Sequence, residues 1–130
     1  MSLNDPLASV LSQINNAKRV GKQQVTTNIS STIIKKVLEI MHDQGYIGDV
    51  EEIIDAKGNY LIINLIGHLN ACGVIKPRFS IKLDGFEKFE KSYLPARGFG
   101  VLIVSTNQSL MTHVEAKEKG VGGRLISYCY

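Results

Sequence analysis

In the first third of the chain, apolar residues recur every three or four positions in two stretches, the spacing of amphipathic helices. The first predicted helix can be capped by Asn4 or Asp5, with Pro6 in its first turn. The second can be capped by Ser30 or Ser31. The predicted inward faces are Leu7, Val10, Leu11, Ile14 and Ala17, then Ile33, Ile34, Val37, Leu38 and Met41.

Segments rich in β-forming residues follow these helices. A short strand is predicted over Gln24–Asn28, and a hairpin joins Val50–Asp55 to Tyr60–Ile66 through an Ala-Lys-Gly-Asn turn. The first half therefore has the order αβαββ, with two helices on one face of a small sheet. Gly67–Gly73 is the predicted boundary between the halves.

Strands dominate the second half. FSIKL alternates within the predicted strand Arg78–Leu83, and Phe99–Val104 is apolar throughout. Gly85–Lys91 is predicted to form one or two helical turns, and Leu125–Tyr130 to form the last strand. Thr112-His-Val-Glu115 has the spacing of a capping box, which predicts a short helix over 114–119 that ends at Gly120.

These elements predict an α+β fold with two small subdomains. The N-terminal αβαββ subdomain covers residues 1–68, and a C-terminal β-rich subdomain with short helices covers residues 69–130. Each is expected to have its own core. The predicted core residues are Leu11, Ile14, Ile34, Val37, Leu38 and Ile63 in the first, and Val101, Ile103 and Ile126 in the second.

Composition indicates an ordinary globular protein. Of the 130 residues, 44% are hydrophobic and 21% are charged, which excludes a disordered chain. Apolar stretches are too short for a membrane span, and the N-terminus lacks the features of a signal peptide. Because Cys72 and Cys129 form neither a disulfide framework nor a CxxC pair, we expect a cytoplasmic protein with reduced thiols.

Positive charge is concentrated in the second half. Residues 1–70 contain six Lys or Arg and seven Asp or Glu, whereas residues 71–130 contain nine and five. This asymmetry suggests an anionic partner for the second half, with nucleic acid as one candidate. Small domains often differ by a few charges, so charge alone leaves the partner open.

Catalytic chemistry has little support in the sequence. None of the three histidines has metal-like spacing with a cysteine, and carboxylates do not pair in an apolar context. His113 is interpreted as a solvated residue near a helix start, and Glu87 and Glu90 as part of a solvated face. KGVGGR lacks the order of a nucleotide-binding loop and is interpreted as a helix stop and a tight turn.

An uncharged polar run follows the apolar strand VLIV. It consists of Ser105, Thr106, Asn107, Gln108 and Ser109. Such side chains donate and accept hydrogen bonds without bulk, which suits bases, ribose hydroxyls and phosphate oxygens of RNA. Arg97, Lys117, Lys119 and Arg124 are candidates for long-range attraction. From these residues alone, an RNA-binding loop and a plain polar loop are both open.

Four stretches together carry a resemblance to a known family. VLIVSTNQSLMTHVEAKEKGVGGRLISYCY has a Ser-Thr loop, then Met-Thr-His, Glu-Ala, and Gly-Gly before an apolar aromatic end. With NDPLASVLSQINNAKRVGK as the N-terminal helix, it resembles the small-subunit ribosomal protein family numbered eight. GHLNACGVIKPRF and FEKSYLPARGFG are similar to the archaeal and eukaryotic branch. The resemblance covers essentially the whole chain.

This resemblance implies a two-domain α/β protein that binds a helical junction in the central domain of small-subunit ribosomal RNA, directly and early in assembly. It places the main contacts on the Ser-Thr loop and secondary contacts near the starts of the first two helices. We predict phosphate contacts for Arg97 and Arg124 as well. The implied contacts are Ser105, Thr106 and Asn107, with Gln108 and Ser109 on the same turn, and Asn4, Asp5, Ser31 and Thr32.

The chain departs from the bacterial pattern of that family around the loop. Asn107 stands where the bacterial pattern has Ser and keeps a hydrogen-bonding group. Arg124 stands where that pattern has Glu and adds a charge that suits RNA. Gln108 and Ser109 replace Lys-Gly, so part of the bacterial loop's charge and flexibility is missing.

We therefore expect a structural, RNA-binding constituent of the small ribosomal subunit that serves translation and is not an enzyme. It is expected to work without a cofactor or metal, in the cytoplasm, and away from membranes. Its expected partners are the ribosomal RNA and neighbouring small-subunit proteins, and off the ribosome we expect a monomer. Two alternatives stay open: a protein–protein adaptor built on the αβαββ half, and a small thiol enzyme at Cys72.

Overall fold

A computed structural model describes residues 6–28, 31–56, 58–75, 80–95 and 99–130. The chain divides into two compact units, residues 1–72 and 73–130. Helices and two antiparallel sheets build them, which confirms the predicted α+β class. The division predicted from the sequence, 1–68 and 69–130, lies nearby, and the independence of the two parts stays a prediction.

Two helices supply much of the core of the first unit. They are α1 (Pro6–Arg19) and α2 (Thr32–Asp43). The Ser31 hydroxyl accepts a hydrogen bond from the Ile34 N–H at 3.3 Å and so caps α2. Ile33 is only half-buried, in contrast to the prediction. The other predicted inward residues are buried, namely Leu7, Val10, Leu11, Ile14, Ala17, Ile34, Val37, Leu38 and Met41.

The first unit also contains a three-stranded antiparallel sheet. Its strands are β1 (Gln24–Thr27), β2 (Val50–Asp55) and β3 (Gly58–Asn64), in the order β1-β3-β2. Leu61 and Ile63 are buried in β3, whereas the residues between and beside them are half-buried. This alternation is the pattern of a strand with one face on the core. The predicted hairpin is thus present, with β3 starting two residues earlier than expected.

The second unit is built on a five-stranded antiparallel sheet. Its strands are β4 (Cys72–Val74), β5 (Ser80–Ile81), β6 (Val101–Ser105), β7 (Leu110–Thr112) and β8 (Gly123–Cys129). They are ordered β4-β8-β6-β7, and β5 also pairs with β8. We did not predict β4 and β7, because three-residue strands are too short to show a hydrophobic period.

Short helices complete the second unit. A 3₁₀ turn (Leu83–Gly85) precedes α3 (Phe86–Tyr93), and α4 (His113–Lys119) follows β7 directly. Of the predicted strand at 78–83, the described residues form only β5 and the start of the 3₁₀ turn. The core predicted here is buried, together with further residues. The cluster contains Ile75, Ile81, Phe86, Leu94, Leu102, Val104, Met111, Ala116 and Leu125, and Val101, Ile103 and Ile126 are also buried.

Candidate nucleic-acid interface

The turn between β6 and β7 is fixed by its own hydrogen bonds. The Thr106 N–H and hydroxyl both donate to the Ser109 carbonyl oxygen, at 3.0 and 2.9 Å. The same hydroxyl oxygen accepts from the N–H groups of Gln108 and Ser109, at 3.1 and 3.2 Å. Asn107, Gln108 and Ser109 are exposed, and Ser105 is half-buried. Amide and hydroxyl groups are therefore presented to solvent on a backbone of defined shape.

Strand register places Arg124 beside this turn. In β8, Arg124 lies opposite Ser105 of β6 and opposite Ser80 of β5. Residues directly opposite each other in antiparallel strands project to the same face of a sheet. The next row, Val104 opposite Leu125, is buried, whereas Arg124 and Ser80 are exposed. An exposed guanidinium is thus flanked by two serines next to the turn.

Two glycines bring β8 against the base of the turn. A β-carbon at residue 123 would lie 2.3 Å from the Ser105 carbonyl oxygen, and one at residue 122 would lie 2.4 Å from the Ile81 carbonyl oxygen. Side chains do not fit at such distances, so glycine is required by the contact between strands. Gly120 ends α4, as predicted, and adopts the left-handed conformation, but Gly123 already belongs to β8 rather than to a turn.

His113 anchors the other end of the hairpin. Its Nδ1 accepts a hydrogen bond from the Leu102 N–H at 3.1 Å, and its Nε2 lies 3.4 Å from Glu90 Oε1. Lys117 forms an ion pair with the same Glu90 carboxylate. Burial lowers the pKa of His113 below its usual 6.5, although the Glu90 carboxylate favours the charged ring. The contacts indicate a neutral imidazole with its proton on Nε2.

Two interpretations from the sequence are wrong at this cluster. His113 is 5% exposed and the Glu90 side chain is 11% exposed, although both were expected to be solvated. The signal that could have revealed this is helical spacing, because His113 and Ala116 lie three residues apart and are the buried residues of α4. A face made of histidine and alanine does not stand out as apolar.

Comparison with known protein families shows which family the chain belongs to. Residues 5–130 match the family model described as Ribosomal protein S8. The chain belongs to the ribosomal protein S8 family. S8 proteins are structural constituents of the small ribosomal subunit that bind ribosomal RNA beside neighbouring ribosomal proteins. S8 proteins bind RNA and serve translation on the cytoplasmic ribosome, and the family is not a family of enzymes.

The structure of this S8 chain argues against a thiol enzyme at Cys72. The thiol is buried, and its sulfur lies 3.6 Å from the Leu11 carbonyl oxygen. Burial raises the pKa of Cys72 to about 12, so the thiol stays protonated and weakly nucleophilic at neutral pH. Within the described ranges, no group of three or more His, Cys, Asp or Glu residues could hold a metal ion.

In this S8 chain Ser31 and Thr32, which the sequence predicts as secondary contacts, belong to the first unit, whereas the turn belongs to the second. Ser31 and Thr32, both exposed, stand at the start of α2 and border a shallow pocket with Asn28 and Asn59. The remaining predicted contact residues, Asn4, Asp5 and Arg97, lie outside the described residues.

No helix in the part of the chain that the structure describes is long and apolar enough to cross a membrane.

Proposed function

We propose that the chain binds a helical junction in the central domain of small-subunit ribosomal RNA, directly and early in assembly. The proposed contact is the turn surface, defined as residues 105–109 together with Arg124. One observation carries the proposal: a turn with a hydrogen-bonded backbone lies next to an exposed arginine, Arg124, whose position in β8 is opposite Ser105 in β6. Uncharged donors and acceptors suit base edges and ribose hydroxyls, while arginine suits phosphate.

Residues of the turn surface have different proposed roles. The Thr106 hydroxyl already makes three hydrogen bonds inside the turn, so Thr106 shapes the turn rather than extending toward RNA. Asn107, Gln108 and Ser109 are exposed and contact bases or sugars. Ser105, half-buried beside Arg124, completes the polar row next to the phosphate contact.

A second contact is proposed at the start of α2. Thr32 is the first residue of this 12-residue helix, and Ser31 is its cap. Free backbone N–H groups at a helix start attract phosphate oxygens, which supports a contact with the RNA backbone there. From the sequence, we propose a further contact near the start of the first helix, at Asn4 and Asp5, and add Arg97 to the phosphate contacts.

The family assignment is refined by two further proposals. We propose that the chain belongs to the archaeal and eukaryotic branch, because GHLNACGVIKPRF and FEKSYLPARGFG are similar to that branch. Off the ribosome, we expect the chain to be a monomer that joins its neighbouring proteins through assembly on RNA. Sedimentation of the isolated protein checks the second expectation, since a stable dimer would contradict it.

The function is tested by titrating a transcribed fragment of the central-domain junction with wild type and with a Ser105→Ala, Asn107→Ala double variant. Losing two hydrogen bonds should weaken binding by about 1–3 kcal/mol. Because no charge is removed, the slope of affinity against salt concentration should stay the same. Gln44→Ala, an exposed polar site in the first unit, is the control and should bind as wild type does.

Circular dichroism establishes that the variants are folded. Wild-type affinity in the folded double variant would contradict the proposed turn surface. An adaptor of the alternative kind would instead show no salt-dependent binding of the RNA fragment.

A further inference from the structure

His113 occupies the point where a strand turns into a helix. The β6–β7 ladder ends at the pair Ile103–Thr112, because α4 begins at the next residue. On the side of β6 that faces β7, strand pairing alone would leave the Leu102 N–H without a partner. The Nδ1 of His113 accepts this N–H at 3.1 Å, so an imidazole continues the ladder by one step.

We propose that His113 is a positioning residue for RNA binding, because its neutral ring joins β6 to α4 and so holds the turn surface in place. Protonation of the ring breaks the hydrogen bond from the Leu102 N–H and weakens RNA binding. This inference rests on the proposed function of the turn surface. The connection is short: three residues separate Leu102 from the start of the turn at Thr106, and His113 follows β7 directly. Both strands that carry the turn are thereby tied at their far ends.

The surroundings of the ring explain why its charge matters. Three groups face it: the Leu102 N–H from β6, the Glu90 carboxylate from α3, and Lys117 from its own helix. A second proton on Nδ1 would place two donors against each other and remove the bond to β6. The charged ring would also be attracted to Glu90, on its opposite edge.

The direction of the pH dependence follows from burial of the ring. Desolvation lowers the pKa of His113 in the folded protein, so the unfolded chain takes up the proton first as pH falls. The contribution of the neutral ring is therefore fully present above its usual pKa of 6.5 and is lost as pH falls below that value. If RNA prefers the neutral state, bound RNA must lower the pKa of His113 further, by reciprocity.

The test compares wild type with His113→Asn, using the same central-domain RNA fragment at several pH values. Asparagine Oδ1 can take the position of Nδ1 and accept the Leu102 N–H, but the amide does not titrate. Both proteins should bind equally at about pH 7.5, and below the lowered pKa of His113 wild type should lose up to about tenfold in affinity, relative to the variant, for each pH unit. Any other effect of pH on the protein or the RNA is common to both proteins and cancels in the ratio of their affinities.

Nuclear magnetic resonance of the free wild-type protein gives an independent readout. Amide signals of residues 105–109 should shift with the same midpoint as the His113 ring signals. Amides that do not follow the ring, equal pH profiles in both proteins, or weak binding by His113→Asn at neutral pH would each contradict the inference.

The result is distinguishable from failure of the proposed function. If the Ser105→Ala, Asn107→Ala variant binds as wild type does, the turn surface itself is wrong. If that variant loses affinity while wild type and His113→Asn share one pH profile, only the role of His113 is wrong.

Discussion

The β2–β3 and β6–β7 hairpins are built on the same antiparallel pairing, yet they present opposite chemistry. Exposed Glu51, Glu52 and Asp55 make β2 acidic. The β6–β7 hairpin instead ends in an uncharged turn, with Arg124 opposite Ser105. An acidic strand repels phosphate, whereas the second arrangement combines neutral hydrogen-bonding groups with one cation.

The hairpins also differ in how firmly they are held. Residues 50–55 of β2 are half-buried or exposed, and Ile54 is 78% exposed at the edge of its sheet. Four successive residues of β6, 101–104, are buried, and β6 lies between β7 and β8. A polar turn can recognise a specific shape when its strands are fixed on both faces. This comparison predicts the main RNA contact at β6–β7 and none along the acidic strand β2.

The largest expected effect is on stability. Ile103→Ala should lower the free energy of unfolding by about 2–5 kcal/mol, because Ile103 is fully buried and truncation leaves a cavity. Ile54→Ala, the same substitution on the exposed hairpin, should change it by less than about 0.5 kcal/mol. Denaturant unfolding measures both. Similar changes in the free energy of unfolding for the two variants would contradict the claim that β6 is more firmly packed than β2.

A smaller effect is expected on the electrostatics of binding. Arg124→Ala should weaken RNA binding and reduce the slope of log affinity against log salt by about one, as expected for one lost phosphate contact. Arg19→Ala, an exposed arginine on α1, should leave that slope unchanged. Equal slopes in wild type and Arg124→Ala would place the phosphate contact elsewhere.

Long, periodic elements were predictable from the sequence. The apolar faces of α1 and α2, the cap of α2, and the turn residues between β2 and β3 act locally and therefore leave a visible pattern. The β6 strand was predictable because VLIV is apolar without interruption. In contrast, β4 and β7 are each three residues long, too short to show a hydrophobic period, and β4 is held by pairing with the distant strand β8.

The arrangement of the turn surface depends on information that is not local. Arg124 faces Ser105 only because the register between β6 and β8 shifts between Ile103 and Val104. Burial of His113 likewise depends on α3 and β6, which are distant in sequence. The sequence could identify the polar turn and the arginine, but that they are neighbours across two strands follows only from the strand register.

The most direct test of the comparison maps RNA contacts onto both hairpins in one experiment. Isotope-labelled wild-type protein is titrated with the central-domain RNA fragment, and amide signals are followed by nuclear magnetic resonance. We predict that signals of residues 105–109 and Arg124 change on binding, while those of Ile53 and Ile54 in β2 do not. Changes confined to the β2–β3 hairpin, with the signals of residues 105–109 unaltered, would contradict the account.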